Sequence, residues 1–298
     1  METFKSFPEC ADCITNLART ASELSAKGNS SLMEKYRVKA LAALDESQGR
    51  GYTSPELANR VMRAIRQTSG IEDPYLEFKE NEMKNARDMA QGAMEWVNQD
   101  LHSLVSFSAL GNSLDFFQDA SQVLGDVKER MQKGLSFYQD QVDRLEQALA
   151  ERPKQLIFLT DNSGEIFFDL PLIRHLNEKA QKMVLVVKGG PALNDLTRKE
   201  LKKSGLEKYI PYVADTGADG AGVDWENVSP EFMELFNSSD VVVAKGMANW
   251  ETIFPRRLSV PVFFLFKVKC KPLRDYLDAP ADSYWALWKP AASGQNQA

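Results

Sequence analysis

Histidine is nearly absent from this 298-residue chain, which has only His102 and His175. Neither has a paired ligand spacing, so both read as structural residues. With no nucleophile elbow either, a Ser-His-Asp mechanism has no support. Cysteine is also scarce. Cys10, Cys13 and Cys270 are too few for a disulfide framework, and their number is odd. That scarcity points to a reducing cytoplasm. Long apolar runs are missing: the best, Val260 to Val268, already contains Pro261 and Lys267, which excludes a membrane span. Met1 to Pro8 lacks the basic-then-apolar order of a signal peptide. Positive charge is not in excess. A net charge of -6 excludes the basic footprint of a nucleic-acid binder, so no nucleic-acid or membrane partner is expected. An acidic protein that handles an anion must do so locally, with a metal, a lysine or backbone N–H groups.

What is present divides near residue 152. Before it the pattern is helical. Ser31 to Leu44, Ser54 to Gln67, Tyr75 to Asn98, Leu101 to Leu110 and Phe116 to Ala150 carry apolar residues three and four apart. The last segment is long enough for a helix or a helix pair broken around Gly134. After Pro153 the chain turns to short apolar runs separated by helical stretches. Gln155 to Thr160, Met183 to Val187, Ile210 to Ala214, Asp240 to Ala244 and Val262 to Phe266 read as strands buried on both faces. Ile166 to Lys179, Asp195 to Ser204 and Pro230 to Asn237 read as the helices between them. The alternation predicts a Rossmann-like three-layer α/β/α core with a parallel-dominated sheet over 152–290. An N-terminal helical subdomain would occupy 1–151, and a disordered tail 291–298. Ligands in such sheets bind at the carboxyl ends of the strands.

Three strand ends carry chemistry. The first runs into Asp161-Asn162-Ser163-Gly164-Glu165, whose Asp and Asn oxygens are hard ligands suited to Mg²⁺ or Mn²⁺. The bland alternative is a helix cap, at about even odds. The second ends in Lys188-Gly189-Gly190-Pro191-Ala192-Leu193-Asn194-Asp195. Here the glycines permit close backbone approach and Asp195 reaches toward the same crevice. Asp195 too can be read as a cap. The fourth ends in Lys245-Gly246-Met247-Ala248-Asn249-Trp250-Glu251-Thr252, a lysine suited to phosphate beside a glycine exposing N–H groups. The Gly-rich Asp215 to Gly222 loop lacks the Walker pattern, and no G-x-G-x-x-G follows the first strand. Standard NTPases and dinucleotide enzymes are therefore excluded.

Together these motifs resemble the DUF89 family. Asp161 to Glu165 looks like its DNAGE-type signature, with Ser163 in place of the usual alanine. The segments from Lys188 and from Val241 resemble its second and third motifs, and Met247-Ala248 replaces a commoner Gln-Gly. Phe263 to Cys270 resembles a strand ending in Lys-Cys. In the helical half, Cys10 to Cys13 resembles the CxxC of the prokaryotic branch. Asp73-Pro74-Tyr75 with Lys79 resembles its DPYxxxK segment, and Gly111 to Phe116 its GNxIDF segment. The resemblance spans about residues 8 to 272. It implies a metal-dependent phosphatase acting on small phosphorylated metabolites such as sugar phosphates, or on damaged or surplus phosphometabolites. Asp161, Asn162 and Asp195 would hold a divalent Mn, Ni, Co or Mg ion, and Lys245 would sit near the phosphate. Glu165 or Asp115 would orient the attacking water. Asn112, Lys188, Gly189, Asn194, Gly246, Asn249 and Glu251 would line the substrate. For the cysteines, packing or a local disulfide ranks ahead of a metal site. Two rival readings are an S-adenosylmethionine-dependent carboxyl methyltransferase and a non-catalytic, metal-dependent sugar-phosphate binder. The first lacks a glycine-rich cofactor loop. The second predicts binding without turnover.

Overall fold

A computed structural model describes residues 6–112 and 120–292. Within it, seven strands form a single sheet: β1 (Phe137–Asp140), β2 (Leu156–Leu159), β3 (Met183–Val187), β4 (Val213–Asp215), β5 (Val241–Lys245), β6 (Val262–Lys267) and β7 (Tyr284–Lys289). Their order is β1-β7-β6-β5-β2-β3-β4. All neighbours run parallel except β6 and β7. From β2 the chain builds outward through β3 and β4, then returns to the other side of β2 to lay down β5 and β6. The point of reversal opens a crevice between the carboxyl ends of β2 and its neighbours.

Strands β2, β3 and β5 are buried at every position, as continuous apolar runs in a doubly covered sheet require. Alternate residues feed two cores. Leu156, Phe158, Leu185, Val243 and Leu265 face one, together with α4 (Leu76–Ala93), α5 (Leu101–Gly111), α7 (Val142–Ala150) and α8 (Ile166–Lys179). Ile157, Leu159, Val186, Val242 and Phe264 face the other, with α10 (Pro230–Asn237), α11 (Met247–Ile253) and α12 (Lys271–Leu277). The three-layer α/β expectation holds. The N-terminal half has two parts. Helices α1 (Cys10–Ala26), α2 (Ser30–Ser47) and α3 (Ser54–Ser69) share a third core around Ile14, Leu44, Val61 and Ile65, whereas α4, α5 and α7 pack on the sheet.

The segment expected over Phe116 to Ala150 as a helix or a helix pair broken around Gly134 does divide there, but a strand lies between its helices. Residues 116–119 lie outside the described residues. Helix α6 (Ala120–Lys133) ends before Gly134 at φ 77°, and residues 137–140 are a strand rather than helix. Only Phe137 of that strand is buried, so no period of two marks it. Pairing with β7 through Phe137 and Tyr284 makes it a strand. The helix expected from Asp195 begins at Arg198, after α9 (Arg198–Lys203) is capped by Thr197 and Glu200. Strand β4 begins at Val213, three residues later than expected, because a 3-10 turn over Glu207–Tyr209 takes the chain up to Ile210. Helices α1, α11 and α12 and strand β7 were not anticipated. The last three lie in short segments where turn, helix and strand preferences compete.

Candidate functional site

The two acidic loops meet backbone to backbone. Asn162 and Asp195 form an isolated antiparallel bridge. Leu196 N donates to Asp161 O at 2.9 Å, Ser163 N to Asn194 O at 2.8 Å and Ser163 Oγ to Asp195 O at 3.1 Å. Stretches more than thirty residues apart are thereby brought into register at the ends of β2 and β3.

Neither loop spends its side chains on capping. Helix α8 starts after Glu165 with no side-chain cap, and Thr197 rather than Asp195 caps α9. The oxygens are held in another way. Asn112 Nδ2 donates to Asp161 Oδ2 at 3.0 Å and to Glu165 Oε1 at 2.7 Å. Asn162 Nδ2 also donates to Glu165 Oε1, at 2.7 Å. With its amide nitrogen tied down, Asn162 presents Oδ1, and among the described residues neither Asn162 Oδ1 nor Asp161 Oδ1 accepts a hydrogen bond. Asp195 Oδ2 is buried and lies 3.4 Å from Lys188 Nζ, in ion-pair but not hydrogen-bond geometry.

The electrostatics favour a cation. Burial pushes Asp161 well above the ordinary carboxylate range, and the Glu165 and Asp195 charges add to the rise against Lys269 and Lys188. Burial also raises Asp195, against the pull of Lys188. Two buried carboxylates with free oxygens beside an amide oxygen are a hard-ligand set that a divalent ion would compensate. Among the described residues no three His, Cys, Asp or Glu side chains are gathered to hold a metal by themselves. The donor set that fits here is two carboxylates and an amide.

Several of the expected site residues are engaged within the protein itself. Lys245 is fully buried, and its three donors go to Ser108 O at 2.8 Å, Ser108 Oγ at 3.0 Å and Asp169 Oδ1 at 2.6 Å. Glu165 Oε2 lies 3.3 Å away. Burial works against the charge of this ammonium, but the Asp169 and Glu165 carboxylates outweigh it and hold the lysine above its ordinary value. Burial pushes Asp169 up to about 6 despite that lysine. Lys245 therefore has no donor left for a phosphate in this arrangement. Gly246 N donates to Leu265 O and Gly189 N to Ala218 O, so neither offers a free N–H. At Gly189 a Cβ would collide with the Gly217 backbone, which by itself requires the glycine.

Gly246 has a different reason. At φ 84° a Cβ would overlap the Asp161 carboxylate, so the glycine makes the seat for that side chain. Gly246→Ala should cost about 1–3 kcal/mol of stability through a strained backbone and a displaced carboxylate, read by urea unfolding. An unchanged midpoint would show that Asp161 does not occupy this seat.

Asn249 is buried and ties strand ends together, donating to Thr160 O at 3.1 Å and Lys245 O at 2.6 Å. Lys188 Nζ donates to Gly222 O at 2.6 Å and to Asn249 Oδ1 at 3.4 Å. Lys188 and Gly189 also face a cavity of about 170 Å³, whose wall includes Asp73, Gly190, Thr197 and Asp215. Asn194 Nδ2 turns to Glu82. Glu251 is buried, and that burial pushes it up to about 8; among the described residues no ion pair includes it. It faces the thiols of Cys13 and Cys270, whose own rise comes first from burial. All three cysteines are free thiols, so no disulfide joins them. Asp115 lies outside the described residues.

Sequence reading missed three contributors. Ser108 and Asp169 enclose Lys245 from α5 and α8. Glu82 reaches the loops from α4 and is pushed up to about 7, chiefly by burial. In α4 Glu82 shares the face of Ala86, Met89 and Ala93, at spacings of four, seven and eleven, which sets it apart from the exposed Glu77 and Glu80. The loop after β4 was read only for its glycines. It is held by α3, with Asn59 bonded to both backbone groups of Ala221 and Arg63 paired with Asp219 at 2.8 Å.

The architecture is that of an α/β protein whose doubly wound sheet carries a buried acid-and-amide crevice at its switch point. Residues 6–283 match the damage-control phosphatase ARMT1-like domain. The chain therefore belongs to this family, the DUF89 proteins. It is 30% identical to a damage-control phosphatase of Pyrococcus horikoshii, over 91% of this chain and 94% of that one. A damage-control phosphatase of Archaeoglobus fulgidus is 26% identical, over 90% and 94%. The crystal structure of a DUF89 protein from Pyrococcus horikoshii superposes with a TM-score of 0.86 at 29% identity, covering 95% of this chain and 98% of the other. Among the described residues no helix is long and apolar enough to cross a membrane.

Proposed function

We propose that this protein is a divalent-metal-dependent phosphatase that releases phosphate from phosphomonoesters of small metabolites, sugar phosphates and damaged phosphometabolites among them. One observation carries the reading: Asp161, Asn162 and Asp195 keep free oxygens on two loops that the backbone pairs together. Its relatives named as damage-control phosphatases support the same activity.

Asp161, Asn162 and Asp195 would hold the ion. Bound there, Mn²⁺, Ni²⁺, Co²⁺ or Mg²⁺ would supply charge neutralisation for phosphate oxygens and acidify a coordinated water. The protein's own part is preorganisation. Asn112 grips one oxygen of Asp161 and leaves the other presented. Glu165 fixes the Asn162 amide so that its oxygen points away. Lys245 and Asp169 form the buried charge pair behind Glu165, so the lysine acts through that carboxylate rather than on phosphate. Because both Glu165 oxygens have neighbours, we assign Glu165 to holding the ligand amide. The cavity beside Lys188, with Asp73, Thr197 and Asp215 in its wall, offers hydrogen-bonding groups to the hydroxyl-rich remainder of a small substrate.

The test is phosphate release from a panel of sugar phosphates, nucleotides and other small phosphomonoesters. Chelator-treated protein should be inactive and should recover with one of the four metals. Full activity in chelator, or ligand binding without turnover across the panel, would defeat the proposal.

A further inference from the structure

We propose that Glu82 is a positioning residue that clamps the two ligand-bearing loops together from the helical layer. Its Oε2 accepts from Gly164 N at 3.4 Å, and its Oε1 accepts from Asn194 Nδ2 at 3.1 Å. Gly164 belongs to the loop that carries Asp161 and Asn162, and Asn194 directly precedes Asp195. One carboxylate therefore touches both loops, from a helix more than eighty residues away in the chain.

The placement is costly, which argues that it does work. Glu82 is 5% exposed, and among the described residues no lysine or arginine makes an ion pair with it. Glu165 and Asp195 add like charge nearby. A buried carboxylate without a cation is destabilising unless something offsets it. The two bonds here are one long N–H contact and one amide contact, a modest return. Helix α4 is held in place independently by Lys79, which pairs with Asp73 at 2.7 Å and Glu200 at 2.9 Å, so Glu82 is not needed to dock the helix. What Glu82 adds is a second tie between the loops, beside their own backbone pairing. Groups behind metal ligands that hold them in place typically contribute a factor of about 10–100 in metal affinity.

This inference rests on the reading of Asp161, Asn162 and Asp195 as a cation site. The experiment compares wild-type, Glu82→Ala and Glu82→Gln full-length protein. Manganese binding is followed by electron paramagnetic resonance, amide exchange of the 161–166 and 192–197 segments is measured without metal, and kcat is taken at saturating metal. Glu82→Ala should raise the manganese midpoint about 10–100-fold, speed exchange in both segments and leave kcat at saturating metal much less affected. Glu82→Gln should fall between, because its amide oxygen still accepts from Asn194 while its nitrogen cannot accept from Gly164. An unchanged manganese midpoint in Glu82→Ala overturns the inference, even if exchange quickens, since that is the mark of a merely structural residue. If wild-type protein binds no manganese and none of the other three ions restores its activity, the cation reading fails and takes this inference with it, and the wild-type arm identifies that cause.

Discussion

Asp161→Ala should lose metal-stimulated phosphate release by roughly a thousandfold or more, while remaining folded. The estimate takes the several kcal/mol of transition-state stabilisation that a bound divalent ion supplies, with about 1.4 kcal/mol per factor of ten. Stability should not suffer to match. Asp161 is a buried carboxylate raised well above its ordinary range, first by burial and then by Glu165 and Asp195. Removing it relieves part of that repulsion at the cost of the Asn112 bond. A group whose carboxyl is raised on folding weakens the folded state as pH climbs above the unfolded value of about 3.9. The metal-free variant should therefore be at least as stable as wild type at pH 7, and the two should converge below about pH 4. Kinetics on the metabolite panel with urea unfolding at both pH values make the check. Full activity in this variant would remove the residue from the site.

Lys245→Met should lose about 3–5 kcal/mol of stability at neutral pH, the usual cost of breaking a buried charge pair from one side. The ammonium has no solvent exposure, and its loss leaves Asp169 and Glu165 buried without a cation in contact. Asp169 already sits at about 6 because burial outweighs the lysine's pull. Without Lys245 its carboxyl rises further, so the folded chain retains a proton that the unfolded chain releases above about pH 3.9. The deficit should accordingly grow as pH rises above about 6, where wild-type Asp169 ionises and the variant's does not, and be least in acid. A lysine whose function is to touch phosphate predicts the opposite: near-normal stability and a raised KM. Unfolding midpoints across the pH range decide between them, and a loss under about 1 kcal/mol would reject the enclosed pair.

The legible parts of the fold were those with a strong local signal. Met183 to Val187, Ile166 to Lys179 and Pro230 to Asn237 form the predicted elements with the predicted bounds. Each is either a run of β-branched and aliphatic residues or an amphipathic stretch with clear ends. Strand β1 was hidden because three of its four residues face outward, and its state depends on a partner nearly 150 residues later. Of the candidate site, the strand-end motifs were visible because hard-ligand residues cluster in Asp161-Asn162 and again at Asp195. Glu82 and Asp169 stand on the apolar faces of their helices, at helical spacing from Ala86 and Met89 and from Leu172 and Ile173, but which groups they meet there depends on loops far away in the chain.

Sequence alone determined the α/β class, the position of the strand ends and the membership of Asp161, Asn162 and Asp195 in adjacent motifs, because residue type and periodicity are local properties. Only the tertiary structure decided what Gly246, Lys245 and Asn249 are for. Gly246 makes room for a carboxylate, Lys245 neutralises buried acids, and Asn249 ties strand ends. Those roles depend on which donors and acceptors are already satisfied by distant segments. A buried polar group must find its partners wherever the fold places them, so that information exists only once the chain is packed.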